Sequence, residues 1–127
     1  MEPTAKHFRK RDAILTCLRE THEHPGAEWI HTQLRSEYSD ISLGTVYRNL
    51  ALFKEQGLIT SLGTVKGVER FDGNTAPHVH FICTGCGRVL DLHGMKVPEE
   101  LNAAAGRESG GQIVSCQLNF TGLCENC

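Results

Sequence analysis

Apolar residues recur at helical spacing along the first part of the chain, with polar residues filling the gaps. Residues 8–21 place Phe8, Ile14, Leu15 and Leu18 on roughly one stripe, as a helix with one buried face requires. In "HPGAEWIHTQLRSEY" a second helix is expected after Pro25, with Glu28 in its first turn and Trp29, Ile30 and Leu34 turned inward. The third, "SLGTVYRNLALFKEQG", is the clearest. Leu43, Val46, Leu50 and Phe53 repeat at i, i+3, i+7 and i+10, with Ser42 placed to cap the start and Gly57 to end it. About four residues, "SDIS", separate the second helix from the third. That is a helix-turn-helix spacing, which a plain pair of packed helices shares.

The pattern then changes period. "LITSLGTVKGVERFD" alternates and breaks at Gly63–Gly67, which predicts a β-hairpin. Three helices followed by a hairpin make a winged helix. "GNTAP" is rich in turn residues and predicts a linker. Beyond it the pattern gives a strand to Ile82, a return strand near 87–93, and a short helix in "VPEELNAAAG" with Pro98 early and Glu99 and Glu100 in its first turn. A Gly-rich loop leads to a last strand, "QIVSCQLNFTGLC", whose Val114, Cys116, Leu118 and Phe120 share one half-buried face. The expected class is α+β. A winged helix-turn-helix domain spans 1–72, a hinge linker 73–77, and a small α/β domain 78–127.

Composition narrows this picture. With 127 residues and 39% of them hydrophobic the chain can bury a core, but two domains of about sixty residues would each be marginal and gain from a staple. No stretch approaches a membrane span, and the basic start "MEPTAKHFRKRDAIL" has no apolar signal core, so a cytoplasmic protein is expected. The net charge of −2 gives no global nucleic-acid signature. The charge is uneven, however: residues 1–73 hold 10 of the 13 Lys and Arg, and "KHFRKR" is the densest basic run. A phosphate-facing surface belongs in that part.

Six cysteines without a secretion signal point to metal or free thiols rather than disulfides. "PHVHFICTGCGRVLD" sets two histidines just ahead of a Cys-x-x-Cys. Side chains alternate along a strand, so His78 and His80 share one face while Cys83 points to the other. One ion cannot collect both, and two sites follow. Cys83 and Cys86 find their counterpart in Cys124 and Cys127, giving the four thiolates of a closed tetrahedral Zn²⁺. The 37 residues between the pairs exceed a compact ribbon's spacing, so the intervening fold must bring the knuckles together.

For the histidine site, a knuckle turn at 83–86 would put Asp91 across from His78, completing a two-histidine, one-carboxylate set suited to Fe²⁺. Asp72 and His24 are further candidates, although Asp-Gly is a common turn and a histidine before proline is often a solvated helix start. His7, His22, His31 and His93 read as surface or supporting residues, and Cys17 and Cys116 as buried thiols.

With these residues placed, the chain resembles the ferric uptake regulator family of bacterial metal-dependent repressors, and most of all its peroxide-sensing branch. The match includes "HP.A..I...L", "S.GTVYRNL..F.E.GLI", "RFD", "HVHFIC..CG.V.D" and the final "G.C..C". The resemblance implies that His24, Asp72, His78, His80 and Asp91 bind a regulatory Fe²⁺ or Mn²⁺, and that Cys83, Cys86, Cys124 and Cys127 hold structural Zn²⁺. It implies a homodimer on a palindromic duplex operator, with Tyr47 and Arg48 contacting DNA from the recognition helix. Thr45 and Asn49 beside them, and Lys10 and Arg11 of the basic run, join that expected surface. His24 and His78 are the implied sites of oxidation.

Asp91 stands where iron sensors usually carry glutamate, Val79 where they often place aspartate, and Cys116 where several relatives have a further histidine ligand. All three favour one sensing site beside the zinc. The N-terminus is about a dozen residues shorter than the family pattern and reads "FRKR" at the helix entry. An iron or zinc regulator of the same family is the alternative expectation. A non-haem iron enzyme would need an enclosing barrel that the chain has too few strands to build, and a protein-binding zinc ribbon leaves "GTVYRNL" and the histidines unexplained.

Overall fold

Residues 3–76 and 78–127 are described in a computed structural model, with side chains from residue 9 onward. The side chains of Phe8 of the first stripe and of Lys6 and His7 of the basic run, and Pro77 of the expected linker, lie outside what is described. The chain divides between Thr75 and Ala76 into two units.

In the first unit, α1 (Pro3–Glu20), α2 (Ala27–Leu34) and α3 (Leu43–Glu55) precede a hairpin of β1 (Thr60–Val65) and β2 (Val68–Asp72). The apolar stripes close on one core, in which Ile14, Ile30, Val46 and Phe53 are fully buried. Trp29 and Leu43 are only half-buried and pack against its edge. The Ser42 hydroxyl caps α3 by accepting from the Thr45 amide at 3.1 Å. At the other end Gly57, at φ +76°, donates to Lys54 O, and Leu58 N donates to Phe53 O. These two bonds form a Schellman stop, which needs a left-handed residue and so favours glycine.

The second helix is shorter than its sequence suggests. α2 ends at Leu34, whose carbonyl takes the amides of Glu37 and Tyr38 as the chain turns away. The connection to α3 is residues 35–42, twice the expected length. "RSEY" supplies no further inward apolar residue until Tyr38, so nothing extends the helix. The hairpin turns at Lys66–Gly67, both at positive φ (52° and 82°), which is what a two-residue type I′ turn requires. A bulge between Ser61 and Gly63 offsets the pairing, with Gly63 set against Arg70 and Thr60 against Asp72.

The second unit is a three-stranded sheet in the order β4 (Val89–Asp91), β3 (Val79–Cys83), β5 (Leu118–Gly122), with α4 (Glu99–Ser109) in the crossover. β3 runs antiparallel to β4 and parallel to β5. Asp91 lies opposite His80 and not His78. The knuckle turn closes later than expected, with Cys83 N donating to Arg88 O and Gly87 N to Cys83 O. The two-residue slide preserves the face, because strand side chains have period two.

The last strand also differs. Residues 112–117 lie outside any strand, Val114 is 97% exposed and Phe120 is 43% exposed, so the predicted half-buried face exists only in part. Alternation marks a face but does not by itself make a strand. Cys17 and Cys116 are half-buried rather than buried. No helix among the described residues is long and apolar enough to cross a membrane.

Candidate metal centres

Parallel pairing explains how Cys-x-x-Cys pairs so far apart in sequence meet. β3 and β5 leave the sheet at the same end, where Cys83 stands beside Gly122, so one strand runs into the first knuckle and the other into the second. The four sulfurs lie within 4.8 Å of one another. Cys83–Cys127 and Cys86–Cys124 are 3.8 Å apart and Cys124–Cys127 is 3.6 Å. A tetrahedron with Zn–S bonds of about 2.3 Å has edges of about 3.8 Å, so the cluster is sized for that ion. These separations exclude disulfides, whose S–S length is about 2.05 Å.

The knuckle amides set the electrostatics. Cys86 N and Cys124 N donate to the Cys83 sulfur at 3.4 and 3.3 Å. They stabilise its thiolate and pull its pKa from the ordinary 9.0 down to about 6. Cys127 is pushed up to about 12 by hydrogen bonds shared with the Cys124, Cys83 and Cys86 sulfurs. Gly85 permits the crowding, since a Cβ there would stand 3.2 Å from the Cys127 sulfur.

On the other face of β3, His78 Nε2 and His80 Nε2 lie 3.1 and 3.2 Å from the same Asp91 oxygen, Oδ1. The two rings are 4.2 Å apart. An octahedral ion with bonds of about 2.1 Å separates adjacent donors by about 3.0 Å, so this spacing suits three of its ligands. Each ring is oriented through its far nitrogen. His78 Nδ1 donates to Ala76 O at 2.7 Å, and His80 Nδ1 donates to Asn119 Oδ1 at 3.2 Å. That tautomer turns the Nε2 lone pairs toward a cation. No sequence signal marks Asn119. Only the parallel register, which sets it beside His80, reveals it.

Within the first unit, His24 Nε2 lies 3.4 Å from Asp72 Oδ2, with the two residues 4% and 8% exposed. Asp72 Oδ1 accepts from Asn74 N at 2.9 Å. His24 is therefore not the solvated helix start that its place before Pro25 allowed. It adopts φ +50°, an uncommon left-handed conformation for a residue with a side chain.

On α3, Tyr47 is 53% exposed, Arg48 is exposed, and Thr45 and Asn49 are half-buried. Arg48 donates to the Thr45 hydroxyl at 3.1 Å, and Asn49 donates to Thr45 O at 2.9 Å. Lys10 pairs with Asp40 at 3.1 Å, and Arg11 donates to Gln56 while lying over the Phe53 ring. His22 and His93 are exposed, whereas His31 bonds to Ile41 O at 3.0 Å and ties α2 to the entry of α3.

Residues 3–121 match the ferric uptake regulator family. The chain is 34% identical over 118 residues to the peroxide operon regulator of Bacillus subtilis, covering 93% of this chain and 81% of that protein. It is 32% identical over 118 residues to the peroxide-responsive repressor PerR of Staphylococcus epidermidis, covering 93% and 78%. The crystal structure of the Campylobacter jejuni peroxide stress regulator superposes with a TM-score of 0.82 at 27% identity, covering all of both chains.

Proposed function

Because the chain belongs to the ferric uptake regulator family, we propose that it is a metal-dependent, DNA-binding transcriptional repressor that responds to peroxide. The observation that carries this reading is the convergence of His78 and His80 on Asp91, on the sheet face opposite the thiol cluster. A sensor needs a site of hard nitrogen and oxygen donors separate from its structural thiolates, since thiolates would hold zinc. Relatives of 32–34% identity named for peroxide response favour peroxide over iron or zinc supply as the signal.

The reading assigns Zn²⁺ to Cys83, Cys86, Cys124 and Cys127. It takes His24, Asp72, His78, His80 and Asp91 as ligands of one regulatory ion. Fe²⁺ there supplies the electrons that reduce peroxide, whereas Mn²⁺ supplies positive charge without that chemistry. The chain's part is to hold three neutral imidazoles by Nε2 and to balance the charge with two carboxylates. His24 and His78 are the rings taken to be oxidised, which removes donors and weakens the ion's hold.

DNA recognition is assigned to α3. Tyr47 and Arg48 face the major groove, flanked by Thr45 and Asn49, and a homodimer sets two such helices on a palindromic operator. Lys10 and Arg11 lie in the basic segment assigned to the phosphate backbone.

Duplex binding by the zinc-replete protein, with Mn²⁺ or Fe²⁺ and with or without peroxide, tests this. Binding should require the added metal, and peroxide should abolish it only with Fe²⁺. Retention of binding by the iron-loaded protein after peroxide would instead identify a sensor of metal supply. His24→Ala and Asp91→Ala should each abolish metal-dependent binding while zinc content stays unchanged. Normal binding by both variants would refute the ligand assignment.

A further inference from the structure

The segment joining α1 to α2 must turn sharply and still present His24 at a fixed place. Two features of the backbone oppose this. His24 precedes proline, which disfavours the right-handed helical region for it, and its φ of +50° is one that a residue with a Cβ seldom adopts. Such a conformation persists only where its surroundings hold it. The holder is the outer edge of β2, the edge not paired with β1.

Three consecutive carbonyls of the segment are gripped by two consecutive residues of that strand. Arg70 Nε donates to His24 O, Arg70 Nη2 donates to Glu23 O at 2.8 Å, and Phe71 N donates to Pro25 O at 2.9 Å. The next residue, Gly26, lies hard against the same strand. A Cβ on it would meet Val68 Cγ1 at 2.4 Å and Glu69 O at 3.1 Å. The planar fork of a guanidinium spans two neighbouring carbonyls, which a lysine ammonium on its flexible stem does not. Asp72 follows Arg70 by two and so shares its face of the strand. Arg70 thus holds the main chain of His24 while Asp72 faces its imidazole at 3.4 Å.

We propose that Arg70 is a positioning residue for the regulatory metal: it locks His24 in its left-handed conformation and so sets the imidazole against Asp72 before an ion arrives. This rests on the reading that His24 is a ligand. Through this clamp the "RFD" stretch does more than supply a carboxylate. Arg70 fixes the histidine, Phe71 anchors the strand in the core at 4% exposure, and Asp72 completes the donor pair.

The test is Mn²⁺ titration of the zinc-replete full chain in five forms: the unaltered protein, Arg70→Gln, Arg70→Lys, His24→Ala and the His24→Ala/Arg70→Gln double variant. Thermal unfolding is followed in parallel. Loss of an outer partner of a ligand typically weakens metal binding about 10–100-fold, and Arg70→Gln should fall in that range. Arg70→Lys should also bind more weakly than the unaltered protein, because charge without the fork does not restore the clamp. In the His24→Ala background Arg70→Gln should have no further effect. Equal weakening in both backgrounds would assign Arg70 a merely structural role and overturn the proposal, as would unaltered affinity in Arg70→Gln or Arg70→Lys. Unaltered affinity in His24→Ala would instead overturn the ligand reading beneath it.

Discussion

Cys83 and Cys127 share one cluster yet their pKa values are shifted in opposite directions, and the sign of each shift fixes how the thiol site responds to pH. Cys83 has its pKa lowered from 9.0 to about 6. Its thiolate therefore favours the folded zinc-free unit fully above pH 9, and that contribution is lost as pH falls through about 6. Cys127, raised to about 12, keeps its proton at neutral pH and must release it to solvent when an ion binds. Zinc affinity should accordingly rise with pH between 6 and 9, with proton release on binding, as measured by competition with a chelator in weakly buffered solution. A flat profile would contradict the assignment. Asn119 makes a second prediction at this scale. Asn119→Leu keeps the branched shape but removes the acceptor for His80 Nδ1, so Mn²⁺ affinity should fall about 10–100-fold with zinc content unchanged, both read by metal analysis and titration. Spacing singled out the paired cysteines and the two histidines and left His24, Asp72 and Asp91 as candidates; Asn119 was not legible, because an asparagine three residues before a glycine carries no sign of what it faces.

At the scale of elements, ends and edges decide more than propensity does. α3 was legible throughout because its period, cap and stop agree: Ser42, the apolar row and Gly57 all act as read. Ser42→Ala should lower stability by about 1 kcal/mol, checked by denaturant unfolding. α2 was overextended, since its pattern continues on paper past Leu34 while the chain turns into a bend. Gly26, unremarked in the sequence, sits where β2 leaves no room for a Cβ. Gly26→Ala should destabilise the first unit by about 1–3 kcal/mol through overpacking, and an unchanged unfolding midpoint would contradict that contact. The knuckle turn shows the limit of hairpin arithmetic. Two further residues in the turn moved Asp91 from His78 to His80, and only the period of two kept it on the correct face.

For the whole molecule, the second unit is the one that needs help. Its buried apolar set is small, with Val79, Ile82 and Val89 beside the Cys83 and Cys124 thiols, and α4 buries no residue. Leu101, Ile113, Val114 and Phe120 are exposed by 44%, 37%, 97% and 43%. A helix with no buried face has little to hold it, and the homodimer proposed above would supply what is missing by covering this surface. Leu101→Asp with Val114→Asp should yield monomers by sedimentation while zinc remains bound. Structural zinc contributes on the order of 10–16 kcal/mol of apparent binding energy, comparable to the stability of a whole domain. Chelation should therefore unfold the second unit, seen as loss of strand signal in circular dichroism.

What the sequence settled by itself is what local chemistry and periodicity control. The helices and the hairpin follow from the spacing of apolar residues, and the separation of a thiolate site from an imidazole site follows from alternation along one strand. These depend on neighbours within a few positions, and a linear string records them. Tertiary structure alone decided what depends on pairing between distant segments. The parallel register of β3 and β5 joins the Cys-x-x-Cys pairs and sets Asn119 behind His80, and the free edge of β2 bends His24 into place. Register is fixed by which edges remain free and how long a turn runs, and neither quantity is written in any one stretch of residues.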